Sequence, residues 1–155
     1  MVMYKKSIFF ITIIFILIFS VAALSQGSIN LFVLEEHPSP SNWVQENQIL
    51  VSHNQVTLNI KNSIWAKFTN TNSMDPLIDE DSNAIEILPN SAEEINVGDV
   101  ISYQTAYGVI IHRVIEKSED QEGIYYIMKG DNSPFKDLQK VRFEDVKGVV
   151  VAIIY

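Results

Sequence analysis

The chain contains no cysteine. That absence excludes disulfides, thiolate zinc sites, iron–sulfur ligation and a cysteine nucleophile, so any covalent catalysis must use a hydroxyl or another group. Basic residues are scarce. Lys plus Arg number 11 against 19 Asp plus Glu, a formal charge of −8. No basic run is present, and a chain this acidic is a poor ligand for nucleic-acid phosphates. A Gly-rich phosphate loop and a His-Glu-x-x-His helix are also missing. The acidic run Asp79-Glu80-Asp81-Ser82-Asn83 opens like a calcium loop. It has Ala84 where an EF-hand needs glycine and Asn90 where it needs a carboxylate, so it reads as a solvated turn. No internal repeat is visible.

Apolar residues are unevenly spread. Of the 17 residues Ile8 to Leu24, 15 are apolar, the exceptions being Thr12 and Ser20. Without that block the chain is about 42% apolar, ordinary for a globular domain. Lys5 and Lys6 precede the block, so the remainder carries 9 basic and 19 acidic residues. As a helix the block spans roughly 25 Å, near the lower limit for a bilayer core. Two readings stand. It is a membrane anchor with Lys5 and Lys6 cytoplasmic, or a signal peptide cleaved after Ala23-Leu24-Ser25. An apolar stretch longer than the usual signal core favours the anchor. Both readings place the rest of the chain outside the cytoplasm.

The expected organisation is residues 1–25 as cytoplasmic tip and anchor, 26–62 as connector with first strands, and 63–155 as a β domain. In the connector, Leu31 to Leu34 is a short apolar run and Val56 to Ile60 alternates as a strand does. Beyond it, the runs Ile64–Phe68, Ala84–Leu88, Asp99–Tyr103, Val109–Ile115, Ile124–Met128 and Val149–Tyr155 are rich in Ile, Val and Tyr. Glycine or proline punctuates them. No long stretch after the anchor keeps a helical period. The expected fold is mainly β, a curled sheet or partial barrel.

Chemistry-bearing residues gather at the junctions. Thr71-Asn72-Ser73-Met74-Asp75-Pro76 follows a strand and ends at proline, which puts Ser73 in a turn with uncommitted backbone N–H groups. A serine nucleophile needs such donors for its oxyanion, although serine in a turn is common on other grounds. His37 and His53 lie in polar stretches. His112 lies inside an apolar strand run and needs partners for its ring nitrogens, as a satisfied structural histidine also would. In Lys129-Gly130-Asp131-Asn132-Ser133-Pro134-Phe135-Lys136-Asp137, either Asp131 or Asp137 can orient an imidazole, or each can be a plain turn residue.

Four boxes in order resemble the signal peptidase I family from about Ala66 to the C-terminus. They are Ser73-Met74-Asp75-Pro76, Gly98-Asp99-Val100-Ile101, His112-Arg113-Val114 and Lys129-Gly130-Asp131-Asn132 with Asp137. The second catalytic position reads histidine, so the resemblance is to the archaeal and endoplasmic-reticulum branch rather than to Ser–Lys members. Neither Lys67 nor Lys129 stands where a Ser–Lys base would.

The resemblance implies a membrane-anchored serine endopeptidase that removes signal peptides, with an antiparallel sheet of signal peptidase type behind one transmembrane helix. Ser73 would be the nucleophile and His112 the general base. Asp137 would orient His112, with Asp131 supporting, and the Ser73 N–H and Thr71 hydroxyl would meet the oxyanion. Asp99 would fix a turn. No cofactor and no metal are implied. The implied partners are exported precursors, membrane lipid and accessory membrane subunits. The chain departs from the pattern at Asn72, where many relatives have glycine, at Ser133, and in the acidic stretch between Asp75 and Gly98. A catalytically inactive relative that binds exported peptides or a membrane partner, and a secreted soluble β domain, are the alternatives.

Overall fold

The structure is a computed structural model and describes residues 37–155. The apolar block Ile8–Leu24 and the run Leu31–Leu34 lie outside the described residues. No helix among the described residues is long and apolar enough to cross a membrane.

The chain is mainly β. Strands β1 (Ile49–Val51) and β2 (Val56–Leu58) form a separate antiparallel hairpin. Its turn is held by Ser52, whose N–H and hydroxyl both donate to the Gln55 carbonyl at 2.9 and 3.1 Å. The run expected over residues 56–60 therefore stops two residues early. The other strands are β3 (Ser63–Lys67), β4 (Asn83–Ile87), β5 (Val100–Thr105), β6 (Gly108–Asp120), β7 (Gly123–Lys129), β8 (Val141–Arg142) and β9 (Val146–Ile154). They make one seven-stranded antiparallel sheet in the order β3-β4-β9-β5-β6-β7-β8. The registers of β4 on β9, β5 on β9 and β6 on β7 each shift once, the kind of irregularity that bends a strand and increases its twist.

Period-two alternation explains why the central strands read as nearly unbroken apolar runs. On β5, Ile101 and Tyr103 enter one buried cluster with Val114, Tyr126, Met128 and Val149. Val100 enters a second cluster with Met74, Ile78, Ala84 and Val150. The neighbours Val149 and Val150 divide in the same way. Both faces of the central strands are thus covered, and the second cluster carries the serine segment.

Candidate active site

The serine segment leaves β3 and is anchored by Met74 and the turn beyond it. Met74 is buried in the second cluster, and its carbonyl accepts the N–H groups of Leu77 and Ile78 at 2.9 and 3.1 Å. Asn72 sits at φ 57°, in the left-handed region. Glycine reaches that region freely, and asparagine is among the side-chain-bearing residues that tolerate it best. The departure from glycine at this position therefore preserves the turn. The Ser73 N–H donates to no group among the described residues. Ser73 Oγ lies 3.2 Å from Thr71 Oγ1, and no hydrogen bond joins it to His112 Nε2.

His112 stands on β6 opposite Ile101 of β5 and is 9% exposed. Its Nδ1 is 2.7 Å from Asp137 Oδ2. The buried Tyr103 donates its hydroxyl to that same oxygen. Burial would raise the Asp137 carboxyl, but the His112 and Tyr103 hydrogen bonds and the His112 charge outweigh it and hold the group below the usual range. An ionised carboxylate only accepts, which assigns the proton to His112 Nδ1 and leaves the Nε2 lone pair free in the neutral ring. The Asp137 N–H donates to the Met128 carbonyl at 2.8 Å, and Lys136 bridges to Lys129. The carboxylate is therefore fixed to the end of β7 rather than carried on a loose loop.

Asp131 does something else. It takes Arg113 in two parallel bonds, Nε to Oδ1 at 2.7 Å and Nη2 to Oδ2 at 2.6 Å. Arg113 Nη1 also donates to the Gly98 carbonyl at 2.7 Å. Asp131 thus meets Arg113 and not His112, because consecutive strand residues point to opposite faces. Asp99 ties its turn as expected, accepting the Ser41 N–H at 2.6 Å and the Asn96 N–H at 2.8 Å.

The Gly130-Asp131-Asn132 turn clamps the serine segment. The Asn132 N–H donates to the Ser73 carbonyl at 3.0 Å, and Asn132 Nδ2 donates to the Asn72 carbonyl at 2.9 Å. At Gly130 a Cβ would come 2.5 Å from the Ser73 carbonyl oxygen and 3.1 Å from His112 Nε2. The serine backbone and the free imidazole nitrogen therefore flank one point, and only glycine leaves it open.

Ser73, Thr71 and His112 line a cavity of about 490 Å³, whose walls include Ile64, Ala66, Phe68 and Ile111. One wall is β3, the edge strand of the large sheet. Lys67 lines the cavity too, but its Nζ lies 5.6 Å from the Trp65 ring centroid, as a cation–π contact.

Sequence reasoning missed Tyr103 and Glu86, and it quoted Asn132 without assigning it a role. Tyr103 gave no local signal, since its partner depends on strand register. Glu86 gave the same signal as His112, a lone polar residue in an apolar strand.

No family model matches the chain, and no solved structure matches it. A segment of 44 residues is 41% identical to an uncharacterized protein of Methanocaldococcus jannaschii, covering 28% of this chain and 22% of that protein.

Proposed function

We propose that this chain is a membrane-anchored serine endopeptidase of signal peptidase type. It cuts exported precursors outside the cytoplasm, and Ile8–Leu24 serves as its anchor. One observation carries the reading: His112 has its Nδ1 on a fixed Asp137 and its Nε2 free, in the cavity that also holds Ser73. In this reaction Ser73 Oγ turns from Thr71 toward the imidazole and attacks the scissile carbonyl. His112 Nε2 takes the hydroxyl proton, and Asp137 stabilises the imidazolium. The free Ser73 N–H and the Thr71 hydroxyl are the donors available to the oxyanion. Collapse of the intermediate passes the proton to the leaving amine and leaves an ester on Ser73. Water, deprotonated by the same nitrogen, hydrolyses the ester and regenerates the serine. An extended substrate adds to the β3 edge, where backbone pairing would place its bond beside Ser73.

The test is cleavage of a signal-bearing precursor by the full chain in lipid vesicles. Ser73→Ala is expected to abolish cleavage while leaving the circular dichroism spectrum unchanged. Equal cleavage by that variant would sink the proposal. The Thr71 partner of Ser73 Oγ favours a second reading, a non-catalytic domain that binds exported peptides. A serine-directed acylating probe that labels wild type and not Ser73→Ala removes it.

A further inference from the structure

Acyl transfer leaves the Tyr103 hydroxyl without a role, although it is buried and bonded to the site. The sheet puts it there. His112 lies opposite Ile101 across the β5–β6 ladder, and Tyr103 follows Ile101 by two residues on β5, so both rings leave the same face. Their centroids are 6.5 Å apart. Tyr103 is 1% exposed and belongs to the first core cluster, with Ile101, Val114 and Met128. It is not among the residues that line the cavity holding Ser73. Its hydroxyl and His112 Nδ1 converge on one atom, Asp137 Oδ2. Among the described residues no group donates to Asp137 Oδ1, and the Asp137 side chain is 24% exposed.

We propose that Tyr103 is a positioning residue for the cleavage reaction: by tying Asp137 Oδ2 to the core, it holds in place the carboxylate that orients His112. The proposal rests on the peptidase reading of the cavity. Its ground is the freedom of a carboxylate. The terminal torsion of an aspartate is broad and two-fold, so a carboxylate held by the imidazole alone can turn and offer either oxygen, or swing toward water. A second donor fixed in the core distinguishes the two oxygens and resists that turn. Burial pushes the Tyr103 phenol above its ordinary range, and the Asp137 hydrogen bond and charge push it the same way. The hydroxyl therefore keeps its proton and stays a donor through the neutral range. A residue acting in this way changes the rate of chemistry and not the binding of substrate. Its effect disappears once Asp137 no longer carries the acceptor. A tyrosine kept for packing alone shows neither property.

The experiment compares the full chain as wild type, Tyr103→Phe, Asp137→Asn and the double variant, in vesicles and at a temperature where each is folded. Tyr103→Phe keeps the ring and loses only the hydroxyl. Its kcat is expected to fall about tenfold with KM unchanged. That is less than the roughly 100-fold a 1 Å misplacement can cost, because His112 still meets the carboxylate. In the Asp137→Asn background the same substitution is expected to change the single-turnover rate by less than about twofold, as for two groups that act as one. An unchanged kcat in Tyr103→Phe overturns the proposal. Equal losses in both backgrounds overturn it as well, because such an effect does not pass through Asp137. Nuclear magnetic resonance in detergent micelles adds a measurement that needs no cleavage. The His112 Nδ1 proton resonance is expected to move in Tyr103→Phe, and an unmoved resonance counts against the proposal. If Tyr103→Phe does not fold, the Tyr103 Cζ resonance in Asp137→Asn decides: it is expected to shift with the loss of its charged acceptor, and no shift overturns the proposal. If the wild type cleaves no precursor, the peptidase reading fails and the positioning role fails with it. Cleavage with an unchanged kcat in Tyr103→Phe removes the role of Tyr103 alone.

Discussion

Gly130→Ala is the sharpest perturbation of the candidate site, because the added carbon lands between its two halves. Gly130 does not occupy the left-handed region, so backbone freedom is not what requires glycine there. Contact is. The new Cβ would sit 2.5 Å from the Ser73 carbonyl oxygen, whereas ordinary contact begins at 3.4 Å, so one side must retreat by roughly 0.9 Å. Neither side yields freely. The Ser73 carbonyl is held by the Asn132 N–H at 3.0 Å, and the buried Met74 comes directly after it in the chain. The imidazole, 3.1 Å from the same Cβ, is held through Nδ1 by Asp137. Overpacking of this kind costs about 1–3 kcal/mol of stability. A misplacement near 1 Å in a reacting geometry can lower the rate about 100-fold. The expected result is therefore a kcat near one hundredth of wild type at a temperature where both proteins are folded, with a modest fall in Tm. Initial rates of precursor cleavage in vesicles and thermal melts by circular dichroism measure both. A Gly130→Ala protein with wild-type rate and wild-type Tm would show that the clamp does not set the serine position.

Two further substitutions test the buried polar groups. Tyr103→Phe removes one of the two donors on Asp137 Oδ2, and a lost hydrogen bond to a charged group predicts about 1.5–3 kcal/mol less stability in urea unfolding; an unchanged midpoint would contradict it. Glu86 has its folded pKa raised by burial, so the native state binds the proton more tightly than the unfolded chain does. Its contribution is then fullest below the unfolded value near 4.5 and is lost as pH rises through the folded value. Glu86→Gln, which does not titrate, is expected to gain in Tm relative to wild type between pH 4 and pH 8, and a difference independent of pH would refute this.

The strands that form the centre of the sheet were legible because both faces are buried. Their apolar runs have to be nearly continuous, and the Gly and Pro breaks mark their ends. What escaped is what depends on a distant partner. The second half of β6, Glu116–Asp120, is too polar to announce itself and is a strand only because β7 pairs with it. The two-residue β8 and the first strand of the exposed hairpin have the same origin. At the site, His112 stood out as an imidazole in an apolar run. The choice between Asp131 and Asp137 was not legible, because both lie in the segment after β7 and only the folded ladder decides which one the ring meets. The reach of the Gly130 turn into the serine segment was likewise invisible in sequence.

The two aspartates should separate cleanly when each is made neutral, and the reason lies in strand geometry. His112 and Arg113 are consecutive on β6, so their side chains leave opposite faces and each requires its own carboxylate. Asp137 serves the ring. Asp131 serves the guanidinium of Arg113, a residue 7% exposed, whose short bond to the Gly98 carbonyl ties the turn before β5 into the same assembly. Asp137→Asn keeps a polar group of equal size, but its amide can donate to Nδ1 and so favour the tautomer that places the proton on Nε2. That nitrogen then cannot take the Ser73 proton, and kcat is expected to fall on the order of 1,000-fold or more, while losing the charged acceptor shared by His112 and Tyr103 also lowers the urea midpoint. Asp131→Asn leaves a buried guanidinium without its counter-charge, a loss on the order of 3 kcal/mol in unfolding free energy. Its kcat, measured where the variant is folded, is expected to fall far less than that of Asp137→Asn. The paired measurement is a urea melt and a single-turnover rate for each variant. A large rate loss in Asp131→Asn with a small one in Asp137→Asn would reverse the division and refute the assignment of Asp137 to the imidazole.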